Sequence, residues 1–366
     1  MEKLSVYYDN RIVGYLAKYE NKYAFSYDPS WILNGFSISP FSLPLKSGVF
    51  VPKENIFNGF FGVFADSMPD SWGNLLLNRY LRNAGINAAD GLLRLSIIGS
   101  SGMGALEYLP NNEIKEQLEF NLDKFQDEAD KILNKEEADF DYLFKYGGSS
   151  GGARPKALVN IDGEDWIIKF QSRYDFDDFG ICEYDYANAC KEIGINIPDV
   201  KLFTSNLNSG YFGVKRFDRV NGKKIHMITA AALLEVDFRT PCLDYSELFK
   251  LTKIITHDNQ DDLKELFLRM CFNVYAHNLD DHAKNFSFVY DELSKTYRLS
   301  PAYDMTYSNT YYGEHTTSVN GKGTNILDDD LIQVGKKVNL KLDFMTDAIT
   351  KVKKVVQNKL YKYIEN

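Results

Sequence analysis

The sequence predicts an α/β amino-terminal region followed by a mostly helical carboxy-terminal region. Three observations indicate this division: short alternating apolar strands near the start, a glycine-rich break at Gly147–Gly152, and a helical apolar period from about Thr229. The 366 residues, 44% of them hydrophobic, suffice for two or three domains with substantial cores.

Residues 1–110 are predicted to form a small β-rich unit. Leu4–Leu16 alternates and turns as a hairpin does, and Lys22–Tyr27 is typical of a further strand. Asp70–Leu81 begins with capping residues and continues with an apolar stripe at helical spacing. We therefore expect a helix to close this unit.

Residues 111–226 are predicted to form a second unit around the glycine-rich break. The stretch from Asn111 to Asp141 is acidic, low in glycine and helical in its apolar period. After the break, Ala157–Ile161 and Trp166–Phe170 flank an Asp-Gly pair, which favours a two-residue hairpin turn. Lys169 is therefore expected on a strand.

The remaining elements follow the same patterns. Glu183–Gly194 predicts a helix that ends at its glycine, and Tyr211–Phe217 predicts a buried strand. Residues 227–366 are predicted to be mostly helical, with a loop-rich stretch at 277–325 that contains a short strand at 297–299.

Composition excludes several classes of protein. No cysteine pair has CxxC spacing or a nearby histidine cluster, so neither a zinc site nor a disulfide framework is indicated, and free thiols are expected at Cys182, Cys190, Cys242 and Cys271. The net charge of -9, without a basic stretch interleaved with aromatics, argues against direct nucleic-acid binding. The sequence has neither an export signal nor a span long enough for a bilayer, which predicts a soluble cytoplasmic protein without membrane attachment.

The glycine-rich segment is the first candidate site. Gly151, Gly152 and Ala153 allow backbone amides to approach an anion, and Arg154 and Lys156 supply positive charge. The segment lacks the Gly-Lys-Ser/Thr of a Walker A loop. Taken alone, a glycine-rich loop of this kind is more often a flexible connection than a phosphate site.

Lys169 is the second candidate. It interrupts an apolar strand, where a cation is costly to desolvate without an anionic partner such as a nucleotide phosphate. The alternative is an edge strand that directs Lys169 to water.

The third candidate is the most specific. Asp280 precedes Asn285 by five positions, and Asp304 follows downstream, which is the order of the catalytic Asp, the metal-binding Asn and the metal-binding Asp of protein kinases. The alternative, in which Asp280, Asp281 and His282 cap a helix or face solvent, explains each residue separately but not the ordered set.

In this order of loop, strand lysine, Asp/Asn loop and downstream Asp, the chain resembles the HipA-type serine/threonine protein kinases, toxins of type II toxin–antitoxin systems. The resemblance covers nearly the whole chain. It rests on the motifs Gly102–Leu106, Gly151–Lys156, Ile168-Lys169, Lys215–Arg219, Asp281–Ser287 and Pro301–Asp304.

The resemblance implies a fold and a set of roles. Residues 1–110 would be the family's N-terminal β-rich unit, 111–226 a kinase-like nucleotide lobe and 227–366 the helical lobe with the catalytic residues. Asp280 would be the catalytic Asp, and Asn285 and Asp304 would hold Mg²⁺. The residues implied at the ATP site are Gly151, Gly152, Ala153, Arg154, Lys156, Lys169, Lys215, Phe217, His282, Lys284, Asn285, Tyr303 and Asp304.

Partners and regulation also follow from the resemblance alone. It implies autophosphorylation of Ser150 or Ser149, a helix-turn-helix antitoxin that binds operator DNA, and a protein substrate such as an aminoacyl-tRNA synthetase. DNA would be contacted only through the antitoxin.

Two positions depart from the family pattern, and two other functions stay open. Asp281 stands where a small residue is usual, and Lys215 where Glu is frequent; adenine needs only backbone groups there. The alternatives are a catalytically silent binding module acting with an antitoxin, and a metal-dependent hydrolase built on Asp280, Asp281 and His282.

Overall fold

The computed structural model describes residues 1–86, 90–112, 119–172, 175–176, 178–310 and 312–364. The chain divides into two compact units. The first comprises Met1–Gly180 and Lys201–Ile228, and the second comprises Ile181–Val200 and Thr229–Asn366. The three domain ranges predicted from the sequence stay predictions.

The first unit opens with an antiparallel sheet. Its strands are β1 (Lys3–Tyr8), β2 (Arg11–Tyr19), β3 (Lys22–Tyr27) and β4 (Glu107–Leu109), in the order β3-β2-β1-β4. Asp9 and Asn10 both adopt positive φ, as a two-residue primed turn requires. The predicted hairpin and third strand are confirmed.

Within the described residues of the first unit, six helices follow. They are α1 (Pro29–Asn34), α2 (Gly62–Ala65), α3 (Ser71–Asn83), α4 (Gly91–Ile98), α5 (Leu122–Leu133) and α6 (Phe140–Gly147). The helix predicted at Asp70–Leu81 is confirmed as α3, with Asp70 at its N-cap, although the Asp70 side chain makes no capping hydrogen bond to the helix. The stretch predicted as helical from Asn111 to Asp141 contains α5 and the start of α6, and its residues 113–118 lie outside the described residues.

A second four-stranded sheet carries the glycine-rich segment. Its strands are β5 (Lys156–Ile161), β6 (Glu164–Lys169), β7 (Val200–Phe203) and β8 (Tyr211–Lys215), in the order β5-β6-β8-β7. The predicted hairpin is confirmed, with φ of 54° at Asp162 and 84° at Gly163. Short strands β9 (Arg219–Val220), β10 (Lys223–Lys224) and β11 (Met227–Thr229) follow.

One apolar cluster joins this sheet to helices of the same unit. Leu76 and Leu77 of α3, Phe125 of α5 and Leu143 of α6 are fully buried together with Ile168 of β6. Fully burying a side chain of this size stabilises a fold by about 1.5–3 kcal/mol. The packing therefore fixes the strand that ends at Lys169.

The second unit is mainly helical. Its elements are α7 (Phe179–Ile193), α8 (Ala230–Leu234), β12 (Leu243–Asp244), α9 (Tyr245–Ile255), α10 (Gln260–Tyr275), a 3₁₀ turn (Ala283–Asn285), β13 (Ser287–Asp291), β14 (Thr296–Leu299), β15 (Thr317–Ser318), α11 (Asp328–Lys336) and α12 (Leu342–Ile364). The predicted helix at 183–194 is confirmed by α7, which is followed by Gly194 at φ 95°. The predicted strand at 297–299 is confirmed by β14, whereas β13 was missed. Among the described helices, none combines the length and the apolarity needed to cross a bilayer.

Candidate functional site

Asp280 follows α10 and is held by its backbone. Its N–H donates to Ser308 Oγ at 3.0 Å, and Asn285 Nδ2 donates to the Asp280 carbonyl oxygen at 2.7 Å. The residue itself is exposed. The peptide groups on both sides of Asp280 are thus held by hydrogen bonds, and its carboxylate is accessible to a substrate.

The adjacent Asp281 is only 1% exposed and has a different environment. Its Oδ2 accepts from the Tyr245 hydroxyl at 2.9 Å and lies 3.0 Å from His315 Nδ1. Its Oδ1 accepts from the Thr317 N–H at 3.0 Å. The Asp281 carboxylate is therefore surrounded by protein donors, and of the two aspartates Asp280 is the accessible one.

Asp304 and Tyr303 are hydrogen-bonded to the loop that carries Asp280, residues 277–285. Asn278 Nδ2 donates to the Asp304 carbonyl oxygen at 3.3 Å, and the Tyr303 hydroxyl donates to the Lys284 carbonyl oxygen at 2.8 Å. Asp304 adopts φ 53°, a left-handed conformation that aspartate tolerates better than most residues. The structure thus brings Asp280, Lys284, Asn285, Tyr303 and Asp304 into one hydrogen-bonded group.

Two side chains of this group have the ligand chemistry that a hard divalent cation takes. Because Asn285 uses its amide nitrogen on Asp280, its remaining polar atom is the amide oxygen. An amide oxygen and the carboxylate of Asp304 are the ligand types that Mg²⁺ takes, usually with waters and phosphate oxygens.

His282 and Lys284 both contact Phe238, which the sequence analysis did not single out. The ring centroids of His282 and Phe238 are 5.1 Å apart, and Lys284 Nζ lies 5.0 Å from the Phe238 centroid. His282 Nδ1 is buried without a hydrogen-bond partner among the described residues. An isolated phenylalanine after α8 has no sequence signal that would have marked it.

The hydrolase alternative would need a cluster of metal-binding side chains. Within the described ranges, no group of three or more His, Cys, Asp and Glu side chains is arranged to hold a metal ion. Both carboxylate oxygens of Asp281 already accept hydrogen bonds from protein groups.

In the first unit, the glycine-rich segment is held against the start of α3. Gly152 adopts φ 87°; its N–H donates to the Asp70 carboxylate, and its carbonyl oxygen accepts from the Trp72 N–H at 3.1 Å. Gly151 lies beside the same carboxylate, and Ala153 is exposed. The Gly152 N–H, which was expected to face a phosphate, thus donates its hydrogen bond to the Asp70 carboxylate.

Arg154 is also engaged within the first unit. Its Nε donates to Asp175 Oδ1 at 3.0 Å, and its guanidinium lies 4.2 Å from the ring centroid of Phe179. The ion pair is partly exposed, which limits its strength and leaves the guanidinium able to exchange partners.

The two loop serines differ in accessibility. Ser150 is 1% exposed, and its hydroxyl donates to the Gly147 carbonyl oxygen at 2.6 Å. Gly73 packs so closely on the Ser150 carbonyl that a Cβ there would clash. Ser149 is half-buried. Phosphorylation of Ser150 would require this segment to leave its position.

Lys156 and Lys169 are directly opposite each other on β5 and β6. Opposite residues of an antiparallel pair share one face, and both lysines are 9% exposed. Strand β6 is paired on both sides, so the edge-strand interpretation of Lys169 is wrong. Lys169 Nζ lies 5.7 Å from the ring centroid of Phe212. The two lysines place positive charge on one face of the sheet, which attracts an anionic group.

Lys215 is the last residue of β8, and Phe217 lies two residues after it. The backbone of Lys215 pairs with Trp166, its Nζ forms an ion pair with Glu164, and Phe217 is half-buried. The lysine side chain is thus used on the strand surface, which fits the expectation that only backbone groups of this segment serve adenine.

A buried ionic cluster next to this segment was not predicted. Asp218 accepts from Arg216 Nη2 at 2.7 Å, Arg219 Nη1 at 2.9 Å and the Gly104 N–H at 2.7 Å. Both arginines also donate to the Gly102 carbonyl oxygen. The cluster joins two motifs, at 102–106 and 215–219, that the sequence shows only as separate.

The chain matches known proteins over most of its length. The family model for the HipA-like C-terminal domain matches residues 148–360, more than half of the chain, and that for the HipA N-terminal domain matches residues 4–109. A Sinorhizobium fredii protein named "Putative kinase Y4dM" is 26% identical over 206 residues, which are 51% of this chain and 49% of that protein. The chain thus spans about half the length of this curated relative.

A solved structure shows the same fold. The HipA chain of the Shewanella oneidensis toxin–antitoxin complex of HipA, HipB and operator DNA has a TM-score of 0.74 at 16% identity. The match covers 98% of this chain and 90% of that one. With both domain matches in chain order, the protein belongs to the HipA family.

Proposed function

We propose that this protein is an ATP-dependent serine/threonine protein kinase acting in the bacterial cytoplasm. The observation that carries the proposal is the accessible Asp280, fixed through both of its peptide groups beside Asn285. The name of the Sinorhizobium fredii relative as a kinase supports the reaction class.

Asp280 would orient the hydroxyl of the acceptor and take its proton as the phosphoryl group transfers. Asn285 and Asp304 would hold Mg²⁺, which supplies charge neutralisation of the phosphates when bound. Lys284 and His282 are near Asn285 in the sequence and would contact the phosphate oxygens. The buried Nδ1 of His282 would make one such contact.

In the first unit, Lys156 and Lys169 would contact the ATP phosphates, with the amides of Gly151 and Gly152. The backbone around Lys215 and Phe217 would hold adenine. Gly152 must exchange its Asp70 partner for phosphate in this account.

Autophosphorylation of Ser150 or Ser149 belongs to the same proposal. A phosphoserine carries about -1.5 to -2 charges and competes with ATP for the loop amides and for Arg154. Because Ser150 is buried, its modification would stabilise a displaced segment and switch the enzyme off.

We further propose a helix-turn-helix antitoxin as partner. The solved HipA relative is named in a complex with HipB and operator DNA. With a net charge of -9, this chain lacks the charge that holds a phosphate backbone by itself. Gel-shift titration should give operator binding only with the antitoxin present; tight, salt-sensitive binding by the purified chain alone would contradict this.

The direct test is incubation with ATP and Mg²⁺ followed by intact-mass and peptide mass spectrometry. A kinase gains phosphoryl groups on serine or threonine, and a binding module keeps its mass while binding ATP. A phosphoproteome after induced expression would then identify the protein substrate.

A further inference from the structure

A continuous network of buried polar side chains surrounds the exposed Asp280. Tyr245 is fully buried at the start of α9, where its hydroxyl donates to Asp281 and accepts from Asn273 Nδ2 at 2.9 Å. Asn273 Oδ1 accepts from Asn278 Nδ2 at 2.9 Å. Through these contacts α9 and α10 hold the loop on both sides of Asp280.

The chain after Asp304 closes the network. Residues 305–310 and 312–318, together called the return segment, contact the loop at both ends. Ser308 makes four hydrogen bonds to the loop. The Ser308 N–H donates to His277 O at 3.1 Å, and its carbonyl oxygen accepts from Leu279 N at 3.1 Å. Its Oγ accepts from Asp280 N at 3.0 Å and donates to Asn278 Oδ1 at 2.8 Å.

The other end of the return segment meets Asp281. The Thr316 N–H donates to the Leu279 carbonyl oxygen at 2.9 Å, and the Thr317 N–H donates to Asp281 Oδ1 at 3.0 Å. The Thr317 hydroxyl donates to the Asp281 carbonyl oxygen at 2.5 Å, and His315 lies against Oδ2. The Asp281 carboxylate thus binds both α9 and the return segment.

Tyr245 acts as a donor in this arrangement. Burial and the nearby Asp281 carboxylate raise the pKa of Tyr245 well above its ordinary range, so the hydroxyl keeps its proton at neutral pH. Because every described contact of the carboxylate is a donor, an amide at position 281 would place an N–H group against at least one of them.

We propose that Asp281 is a positioning residue for phosphoryl transfer, which fixes the main chain that presents Asp280 and Asn285 by binding Tyr245, His315 and Thr317. This inference rests on the proposed kinase function. It assigns a role to the buried aspartate next to Asp280, and it makes the geometry at Asp280 depend on the return segment.

The size of the effect follows from orientation. A misplacement of about 1 Å at a reacting group can cost on the order of 100-fold in rate. Asp281 is not among the residues expected to contact ATP. Its replacement should therefore lower kcat by about 10- to 100-fold and leave KM for ATP nearly unchanged.

The experiment compares the wild type with Asp281→Asn, Tyr245→Phe, the double variant and Asp280→Asn. Asp262→Asn is the matched control, because Asp262 is also a buried aspartate of the second unit but binds Arg298, at 2.7 Å, away from the loop. For each we would measure kcat, KM, the stoichiometry of ATP binding by calorimetry, and amide hydrogen exchange of peptides covering 277–285.

The expected result is a loss of kcat in Asp281→Asn at full ATP stoichiometry, with faster exchange of the Leu279 and Asp280 amides. Tyr245→Phe should show a smaller decrease in kcat. The fold decrease in the double variant should be smaller than the product of the two single fold decreases, because both substitutions act through one contact. Asp262→Asn should change neither the loop exchange nor kcat.

Three outcomes would overturn the inference. They are unchanged kcat and loop exchange in Asp281→Asn, equal effects of Asp281→Asn and Asp262→Asn, or retained turnover in Asp280→Asn with complete loss in Asp281→Asn, which would make Asp281 itself the catalytic residue. If the wild type transfers no phosphate, the proposed kinase function fails. Hydrogen exchange still tests the positioning role in that case, and unchanged exchange of the loop in Asp281→Asn would reject it.

Discussion

Replacing Asp218 by Asn should strongly destabilise the first unit. Asp218 is completely buried, with two guanidinium groups within 2.9 Å and the Gly104 N–H at 2.7 Å. The amide keeps the shape of the side chain but leaves two buried positive charges without their counter-ion.

The charges of the cluster are defined at neutral pH. Burial alone would raise the pKa of Asp218, but the two guanidinium groups and their hydrogen bonds outweigh burial and lower it. Burial lowers the pKa of Arg219 to about 10, still well above neutrality. The aspartate is therefore negative and both arginines are positive in the folded protein.

The magnitude follows from this geometry. Removing one partner of a buried ion pair typically costs about 3–5 kcal/mol, because the remaining charge is left uncompensated. A urea dependence of about 3 kcal/mol per M converts that loss into a midpoint about 1 to 2 M lower.

The assay is urea unfolding followed by tryptophan fluorescence. The three tryptophans of the chain, Trp31, Trp72 and Trp166, all belong to the first unit, so the signal reports the unit that contains Asp218. Asp127→Asn is the control, since Asp127 pairs with Lys131 at the surface of the same unit and its loss should not shift the midpoint measurably.

The pH dependence has a defined sign. Because the folded pKa of Asp218 is lowered, its contribution is present above the unfolded pKa of about 3.9 and is lost as pH falls through the folded value. The midpoints of wild type and Asp218→Asn should therefore begin to approach each other below about pH 4 and should meet only below the lowered folded pKa of Asp218. A midpoint shift at neutral pH no larger than that of Asp127→Asn would refute the reasoning.

Three further predictions concern the candidate site. Asp70→Asn should raise ATP affinity several-fold in calorimetry, because it weakens the contact that holds the Gly152 amide; unchanged or weaker binding would argue against competition. Asn285→Ala and Asp304→Ala should each weaken ATP binding in Mg²⁺ but not in EDTA, and equal affinities in all three proteins would remove the metal assignment. A phosphate mapped to Ser150 should lower ATP affinity, whereas the same affinity in phosphorylated and unmodified protein would exclude the switch.

Much of the fold was predictable because local patterns and tertiary packing agree. The β1–β2 and β5–β6 hairpins carry turn residues that adopt positive φ, and α7 ends where glycine permits a left-handed residue. The strand β13 and the division between α5 and α6 were not predicted, because their boundaries depend on packing partners distant in sequence.

The candidate site was predictable in its linear parts only. The spacing from Asp280 to Asn285 is local, and a hydrogen bond in the structure joins these two residues. The contacts of Asp281 with Tyr245 and His315, and those of Asp218 with Gly104, join residues 34 or more positions apart. No local period or motif encodes such pairs.

The central claim is tested most directly by phosphoryl transfer in Asp280→Asn, with ATP affinity measured on the same preparation. Asp347→Asn, an exposed aspartate on α12, serves as the control. The account predicts that Asp280→Asn binds ATP and Mg²⁺ as the wild type does and transfers no phosphate, while Asp347→Asn is fully active. Turnover by Asp280→Asn at the wild-type rate would contradict the assignment of Asp280 as the catalytic residue.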